Sequence, residues 1–290
     1  MKFSHKICVF ILLFSLKAVA FQSAIKINNE KVGINLKAHA DIFTSEKEFL
    51  LSDLNFDVVS EKSTEKEFFY FDFNQKSIFI KFHLLNQKLK ERKLFIRFSN
   101  TMIYEIILYK KNSKALHEIY RVGIKHPINT KQISNRNFIF PIKIKPKEAA
   151  SYVIKLHKMD GRPLVTNIEL LDENSLNDTI LKENLILGIY LGLSAIFLLV
   201  GIVLFILFKK SIYILYSLYI LFLGLFITSY TGVFQEFFLS QNTIVNKYTH
   251  YVLFSEIALV FFVLFSQKFL STKNTIFNLN ITVLNINKKA

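Results

Sequence analysis

Leu185–Phe208 reads LILGIYLGLSAIFLLVGIVLFILF, 24 residues without an Asp, Glu, Lys, Arg or His. At ~1.5 Å per residue, a helix of this length crosses a ~30 Å hydrocarbon core with room to tilt. Two more uncharged apolar segments follow it, and a stretch of very different texture precedes it. The chain therefore reads as an integral membrane protein with a sizeable domain on one side.

On the C-terminal side, Ser211–Tyr230 is a second uncharged segment of 20 residues. Tyr213, Tyr216 and Tyr219 recur near its start, where amphipathic rings sit at the membrane interface. Thr231–Lys247 is a polar connection containing Glu236, and Thr249–Gln267 is a third span. The expected transmembrane region is 185–273, with spans at 185–208, 211–230 and 249–267, followed by an Asn-rich polar tail at 274–290. Gly188 and Gly192 form a small-xxx-small pair of the kind that lets another helix approach closely. Glu256 is an ionisable residue inside the third span. Such a residue is costly in lipid and is expected to face protein or water, as a hydrogen-bonded structural group or as a signalling or proton-linked switch.

On the N-terminal side, residues 1–20 have a basic start at Lys2 and Lys6, a short apolar core and the small residues Ala18 and Ala20. This is the pattern of a cleaved secretory signal. Cys8, the single cysteine, lies inside it, so the mature chain is expected to hold no disulfide and no Cys-based metal site. Export places the domain at 21–180 outside the cell membrane. Lys209 and Lys210 then fall inside, Lys247 outside, and Lys268 and Lys273 inside, in agreement with the positive-inside rule. The C-terminus is expected in the cytoplasm.

Within the exported domain the periodicity changes to two, the mark of strands. Ile78, Ile80, Phe82 and Leu84 alternate with Phe79, Lys81 and His83, and Leu94, Ile96 and Phe98 alternate with Phe95, Arg97 and Ser99. Further runs lie at Ile103–Tyr109, Asn137–Ile144, Ser151–His157 and Leu164–Leu171, with turn-forming residues between them. Short strands at this spacing predict an all-β jelly roll or sandwich followed by an α-helical membrane region.

The net charge is +15, unevenly distributed. Residues 41–72 carry nine acidic and three basic side chains, whereas 81–147 carry sixteen basic and three acidic. One reading is a cationic face for an anionic ligand. The other is a solvated basic sheet, or two complementary surfaces that pack together. An exported basic domain makes nucleic acid an unsuitable partner. The expected ligand-binding residues are Arg97, Arg121, Arg136 and Asn137, because arginine grips a carboxylate or sulfate through two parallel hydrogen bonds. No catalytic residues stand out: the histidines are scattered without metal-ligand spacing, and no GxSxG, P-loop or GxGxxG occurs. The chain is read as a non-enzyme with no metal and no cofactor.

Several segments together resemble the bacterial seven-transmembrane receptors with diverse intracellular signalling modules. Ser77–Asn86, SIFIKFHLLN, resembles a strand of that family ending in Asn, without its usual Trp. Leu94–Tyr109 resembles the following strand pair. Gly123, with Arg136-Asn137-Phe138-Ile139-Phe140-Pro141, resembles the Gly…Arg-x-Phe-x-Phe-Pro stretch. Gly188–Gly192 and Ser211–Tyr219, with the Thr231-Gly232 turn, resemble the first two membrane helices. The resemblance implies an extracytoplasmic sensor for a carbohydrate-like or other small ligand, in the bacterial inner membrane. In the family such a sensor feeds a bundle that drives a kinase, cyclase or phosphatase.

Three spans stand where the family has seven, so the reading is a receptor truncated at its C-terminal side and lacking its own output domain. Its expected partners are membrane lipid, a small-molecule or carbohydrate ligand, and a separate signalling protein such as a kinase or cyclase. The alternative is a membrane-tethered glycan- or envelope-binding module without a signalling role.

Overall fold

The computed structural model describes residues 24–28, 31–45, 68–72, 77–111, 116–158, 162–238 and 249–270. The proposed signal at 1–20 and tail at 274–290 lie outside the described residues, as does most of the acidic segment.

Twelve strands occur among the described residues: β1 (Ile25–Ile27), β2 (Gly33–Asn35), β3 (Asp41–Ser45), β4 (Phe69–Phe71), β5 (Ser77–Asn86), β6 (Arg92–Phe98), β7 (Glu105–Lys111), β8 (Leu116–Val122), β9 (Phe138–Ile144), β10 (Ala149–His157), β11 (Leu164–Thr166) and β12 (Ile168–Leu171). One sheet runs β1-β5-β10-β7-β8, with β3 sharing the β5 edge with β1; a second runs β2-β12-β6-β9; β4 and β11 form a separate ribbon. The two sheets face each other as a sandwich. Ile78, Ile80, Phe82 and Leu84 of β5 and Leu94, Ile96 and Phe98 of β6 all point into one continuous core and are fully buried. Each such side chain contributes about 1.5–3 kcal/mol by leaving water.

Sequence periodicity misses some strands for a physical reason. β8, LHEIYRV, is half exposed at a sheet edge and carries little apolar alternation. The run at 164–171 is two strands rather than one: Asn167 separates β11, paired with β4, from β12, paired with β2 and β6.

Two residues of the family-like stretches have clear structural tasks. Asn86, fully buried, donates through Nδ2 to the carbonyls of Lys90 (2.9 Å) and Lys145 (3.0 Å) and accepts from the Lys88 amide (3.0 Å), tying the end of β5 to the end of β9. Gly123 has φ +141°, and a Cβ there would run into the Tyr104 backbone, 2.6 Å from the Glu105 Cα. Only glycine fits that turn.

Among the described residues four α-helices follow: α1 (Glu173–Phe208), α2 (Ser211–Tyr230), α3 (Val233–Phe238) and α4 (Thr249–Phe269). α1, α2 and α4 are long and apolar enough to cross a membrane. The first starts twelve residues before the uncharged run. Asp172 directly follows β12 and caps α1, its Oδ1 accepting the Ser175 amide at 2.8 Å. The 36-residue helix is continuous and ~54 Å long.

α1 and α2 cross at Gly201, where a Cβ would run into Ser217 Oγ and lie 3.2 Å from the Tyr216 ring. Gly188 and Gly192, expected at a helix contact, have nothing within 4 Å of where a Cβ would sit. α2 and α4 are joined instead by rings: Tyr219 with Phe262 (5.3 Å), Tyr216 with Phe265 (5.6 Å) and Phe222 with Phe261 (5.6 Å). At the end of the bundle away from the sandwich, Lys268 Nζ donates to Ser211 Oγ. Glu256 is exposed on α4.

Candidate functional site: the joint between sandwich and helices

Leu94, Ile96 and Phe98 of β6 turn into the core, so Phe95 and Arg97 face outward. The same alternation puts Ile139 on the outside of β9. The first turns of α1 lie on this outer face. Leu176 and Ile180, one helical turn apart, pack with Phe95, Ile139 and Leu171. Glu183, three residues further, continues the same helix face. It meets the two arginines that this sheet presents.

Arg97 is 2% exposed. Its Nη1 donates to Glu169 Oε2 at 2.7 Å, across the β6–β12 pair, and its Nη2 donates to Glu183 Oε1. Arg136, at the entry to β9, donates through Nη2 to Glu183 Oε2 at 3.1 Å. Glu183 thus divides its carboxylate between two arginines and ties the sheet to the helix. Two arginines against two glutamates leave the cluster neutral, which is what a desolvated group of charges requires. One donor is left over: Arg97 Nε is buried with no partner among the described residues.

Neighbouring contacts extend this joint to the other helices. Thr101 Oγ1 donates to the Tyr230 carbonyl at the end of α2 (3.1 Å). Gly232, at φ +82°, turns the chain between α2 and α3 so closely that a Cβ would lie 3.2 Å from Thr101 and 3.4 Å from the Arg136 Cβ. Arg162, in the loop before β11, donates to the Tyr251 hydroxyl of α4 and lies 5.4 Å over its ring. The sandwich therefore rests on one end of all three long helices.

Behind Arg136, Lys131 organises the preceding loop. Its Nζ donates to the carbonyls of Asn135 (2.7 Å) and Arg136 (2.9 Å) and sits 4.9 Å from the Phe138 ring. Burial pushes this ammonium down to about 8, against the opposing pull of Glu236 on α3.

Of the four expected ligand residues, three come together here. Asn137 is buried, its Nδ2 donating to the Phe98 carbonyl at 3.2 Å, next to Arg136 and Arg97. Arg121 lies elsewhere, on the β8 edge of the other sheet, paired with Glu118 (2.6 Å) and Glu105 (3.2 Å). Glu105 is itself buried and also meets His126 Nε2 at 2.8 Å. Burial pushes the Glu105 carboxyl up, but the His126 hydrogen bond and the charges of Lys125, Arg121 and His157 together hold it below its ordinary value.

Glu183, Glu169, Thr101, Tyr230 and Gly232 escape a reading of the sequence for sites. One signal was available: Asp172 as an N-cap residue with Glu173 in the first turn is a helix start, and Leu176, Ile180 and Glu183 fall on one helical face. Among the described residues, no group of three or more His, Cys, Asp or Glu could hold a metal ion.

Two family models match the chain, one described as 7TMR-DISM extracellular 2 over residues 45–171 and one as 7TM diverse intracellular signalling over 183–287. The chain belongs to this receptor family. Members of the 7TMR-DISM family are membrane receptors with an extracellular sensor and a signalling role, so the β-sandwich is the extracellular domain and the three apolar helices belong to the membrane domain. The border between the two matches, at 172–182, is the segment in which α1 lies on the sheet. No curated protein matches the chain.

Solved structures that match include the mosquito-larvicidal Cry4Aa toxin from Bacillus thuringiensis (14% identity, 34% of this chain and 19% of that one, TM-score 0.21). The insecticidal crystal protein Cry2Aa also matches (11% identity, 52% of this chain and 23% of that one, TM-score 0.26). A third is a carbohydrate-binding module of the β-sandwich superfamily, described for promiscuous specificity (11% identity, 49% of this chain and 55% of that one, TM-score 0.21). The chain spans about a fifth of each toxin's length and about half of the module's. The sandwich is defined by its own strands and their shared core.

Proposed function

We propose that this 7TMR-DISM chain senses a small extracytoplasmic ligand, carbohydrate in class, with its sandwich and passes the resulting change into the membrane through α1. The observation that carries this is the shared carboxylate of Glu183. A tether needs only a flexible linker, yet here the sheet runs into a helix through the single residue Asp172, and that helix is pinned by two arginines from the sheet. A rigid rod fixed at its outer end transmits a shift of the sheet along its length, because packed elements move between discrete arrangements rather than deform.

In this reading Arg97 and Arg136 serve the joint, since Arg97 has no face open to solvent. The sandwich lies in the periplasm and the lysine-bearing far end of the bundle in the cytoplasm of a bacterial inner membrane. The signal leaves through a kinase or cyclase partner.

The full chain in lipid nanodiscs, probed against a glycan array, tests this. Amide exchange is then followed over residues 173–190 with and without the best binder. Ligand-dependent protection in that segment is the expected result. Binding that leaves the segment unaltered would favour a membrane-tethered glycan-binding module instead.

A further inference from the structure

The ribbon of β4 and β11 is apolar on both faces. Its inner face is closed: Phe69, Phe71 and Leu164 belong to the sandwich core. On its outer face Tyr70 and Val165, cross-strand partners, are 60% and 44% exposed. Phe68, two residues before Tyr70, is 50% exposed. Three large side chains of this kind, side by side on an otherwise charged domain, mark a contact with something apolar.

The place of the ribbon identifies that contact. Phe68 and Val165 line one side of a cleft of about 590 Å³, and its other side includes Ile186 and Tyr190 of α1 with Ile227 and Tyr230 of α2. These four helix residues lie in the outer turns of the uncharged spans. The span within α1 is ~36 Å long, more than a ~30 Å hydrocarbon core needs, so its first turns reach into the headgroup layer. The apolar face of the ribbon is thus continuous with the outer end of the membrane helices. Along β4 that face also changes in the order in which a bilayer interface changes. Phe68 stands beside the helices, Tyr70 follows, and the exposed carboxylate of Asp72 comes last.

We propose that the β4–β11 ribbon lies in the headgroup layer of the leaflet on the sandwich side, with Phe68, Tyr70 and Val165 against lipid. Apolar and aromatic side chains hold it there, so the contact needs no net charge on either partner. It gives the sandwich a second footing beside the Glu183 joint and fixes its tilt on the membrane. The contact does not depend on the sandwich recognising a glycan.

The sequence contains no Trp, so one introduced Trp reports on one position. The full chain carrying Phe68→Trp, Val165→Trp or Leu89→Trp is placed in phosphatidylcholine vesicles, either plain or brominated near the headgroup end of the acyl chains. Leu89, 81% exposed in the turn before β6, is the control. β6 and α1 run the same way toward the membrane, since Lys93 meets Glu173 at 3.9 Å and Arg97 meets Glu183. Leu89, at the far end of β6, is therefore on the order of 20 Å further out. Bromine quenches an indole only at close range. Brominated lipid should dim the Phe68→Trp and Val165→Trp reporters by at least about twofold and leave Leu89→Trp unaltered. Reporters on two strands keep the test open if one variant misfolds. Ribbon reporters quenched no more than Leu89→Trp overturn the proposal. So does a ribbon reporter that is blue-shifted but unquenched, because a protein surface would then cover it.

Discussion

Arg136 and Glu183 meet at 3.1 Å across the boundary between an extracellular sheet and a membrane helix. Arg136 also has its Cβ against Gly232, the turn that ends α2. One side chain from the sensor therefore meets α1 and lies beside the turn that follows α2. Its position at the entry to β9 subjects it to any movement of the β6–β9 pair.

Glu183→Gln keeps the shape of the joint and removes its charge. Charged hydrogen bonds are worth about 1.5–3 kcal/mol, and the partial exposure of Glu183 lowers this to about 1 kcal/mol. Amide exchange over residues 176–187 should accelerate roughly five- to tenfold, with the sandwich core unaffected. Unchanged exchange there would mean that the ion pairs do not hold α1.

Asp172→Ala removes the cap at the start of α1. A lost cap costs about 1 kcal/mol, and Asp172→Ser should recover most of it. Burial raises the Asp172 carboxyl, but hydrogen bonds from Ser175 and the Val32 backbone contact, together with the Arg92 charge, hold it below its ordinary value. Circular dichroism melts of the three proteins give the order wild type, Ser, then Ala.

Glycine positions separate two kinds of contact. Gly201→Ile should split the α1–α2 crossing, since a Cβ there already meets Ser217 and Tyr216. Gly188→Ile and Gly192→Ile should leave that crossing intact, because a Cβ at either meets nothing within 4 Å. Cysteine cross-linking between α1 and α2 distinguishes them, and an equal effect of all three would contradict the crossing described.

Acid should destabilise the sandwich through Glu105. Its folded-state carboxyl lies below the ordinary value of 4.5. Such a group contributes stability that is complete above 4.5 and is lost as pH falls through the lowered value. The melting temperature should fall slightly as pH drops below 6.5, where burial keeps His83 neutral in the folded state, and then more steeply below about 5 as the lowered carboxylates protonate. Glu105→Gln should flatten part of that decline at the cost of lower stability at neutral pH; Glu118, Glu148 and Asp172, also lowered, keep the remainder.

Gly123→Ala tests the turn before the Lys131 loop. With φ at +141° and the Tyr104 backbone in the way, the added methyl forces a backbone shift. A loss above about 2 kcal/mol is expected. A melting temperature within a degree of wild type would show that this turn relaxes freely.

Much of the architecture was legible in the chain. The uncharged run at 185–208 and the alternation in Ser77–Asn86 and Leu94–Phe98 report local geometry, because a helix and a strand each repeat over a few residues. The cationic segment was legible as composition but not as a site. Arg97, Arg121 and Arg136 look alike in sequence, yet one is sealed between two glutamates, one pairs on a sheet edge and one holds the joint. Glu183 is 86 residues from Arg97, and no local pattern links them.

Hydrophobic period and span length are properties of short segments, and they suffice to place a strand-rich domain ahead of membrane helices. Where the two are fastened follows from contacts between distant segments. α1 begins at Glu173 rather than at the membrane edge, Asn167 sends one apolar run into two sheets, and Gly201 rather than Gly188 is the crossing point. One cause underlies all three. Helix docking, strand pairing and close approach depend on which surface arrives opposite, and that surface comes from residues far away along the chain.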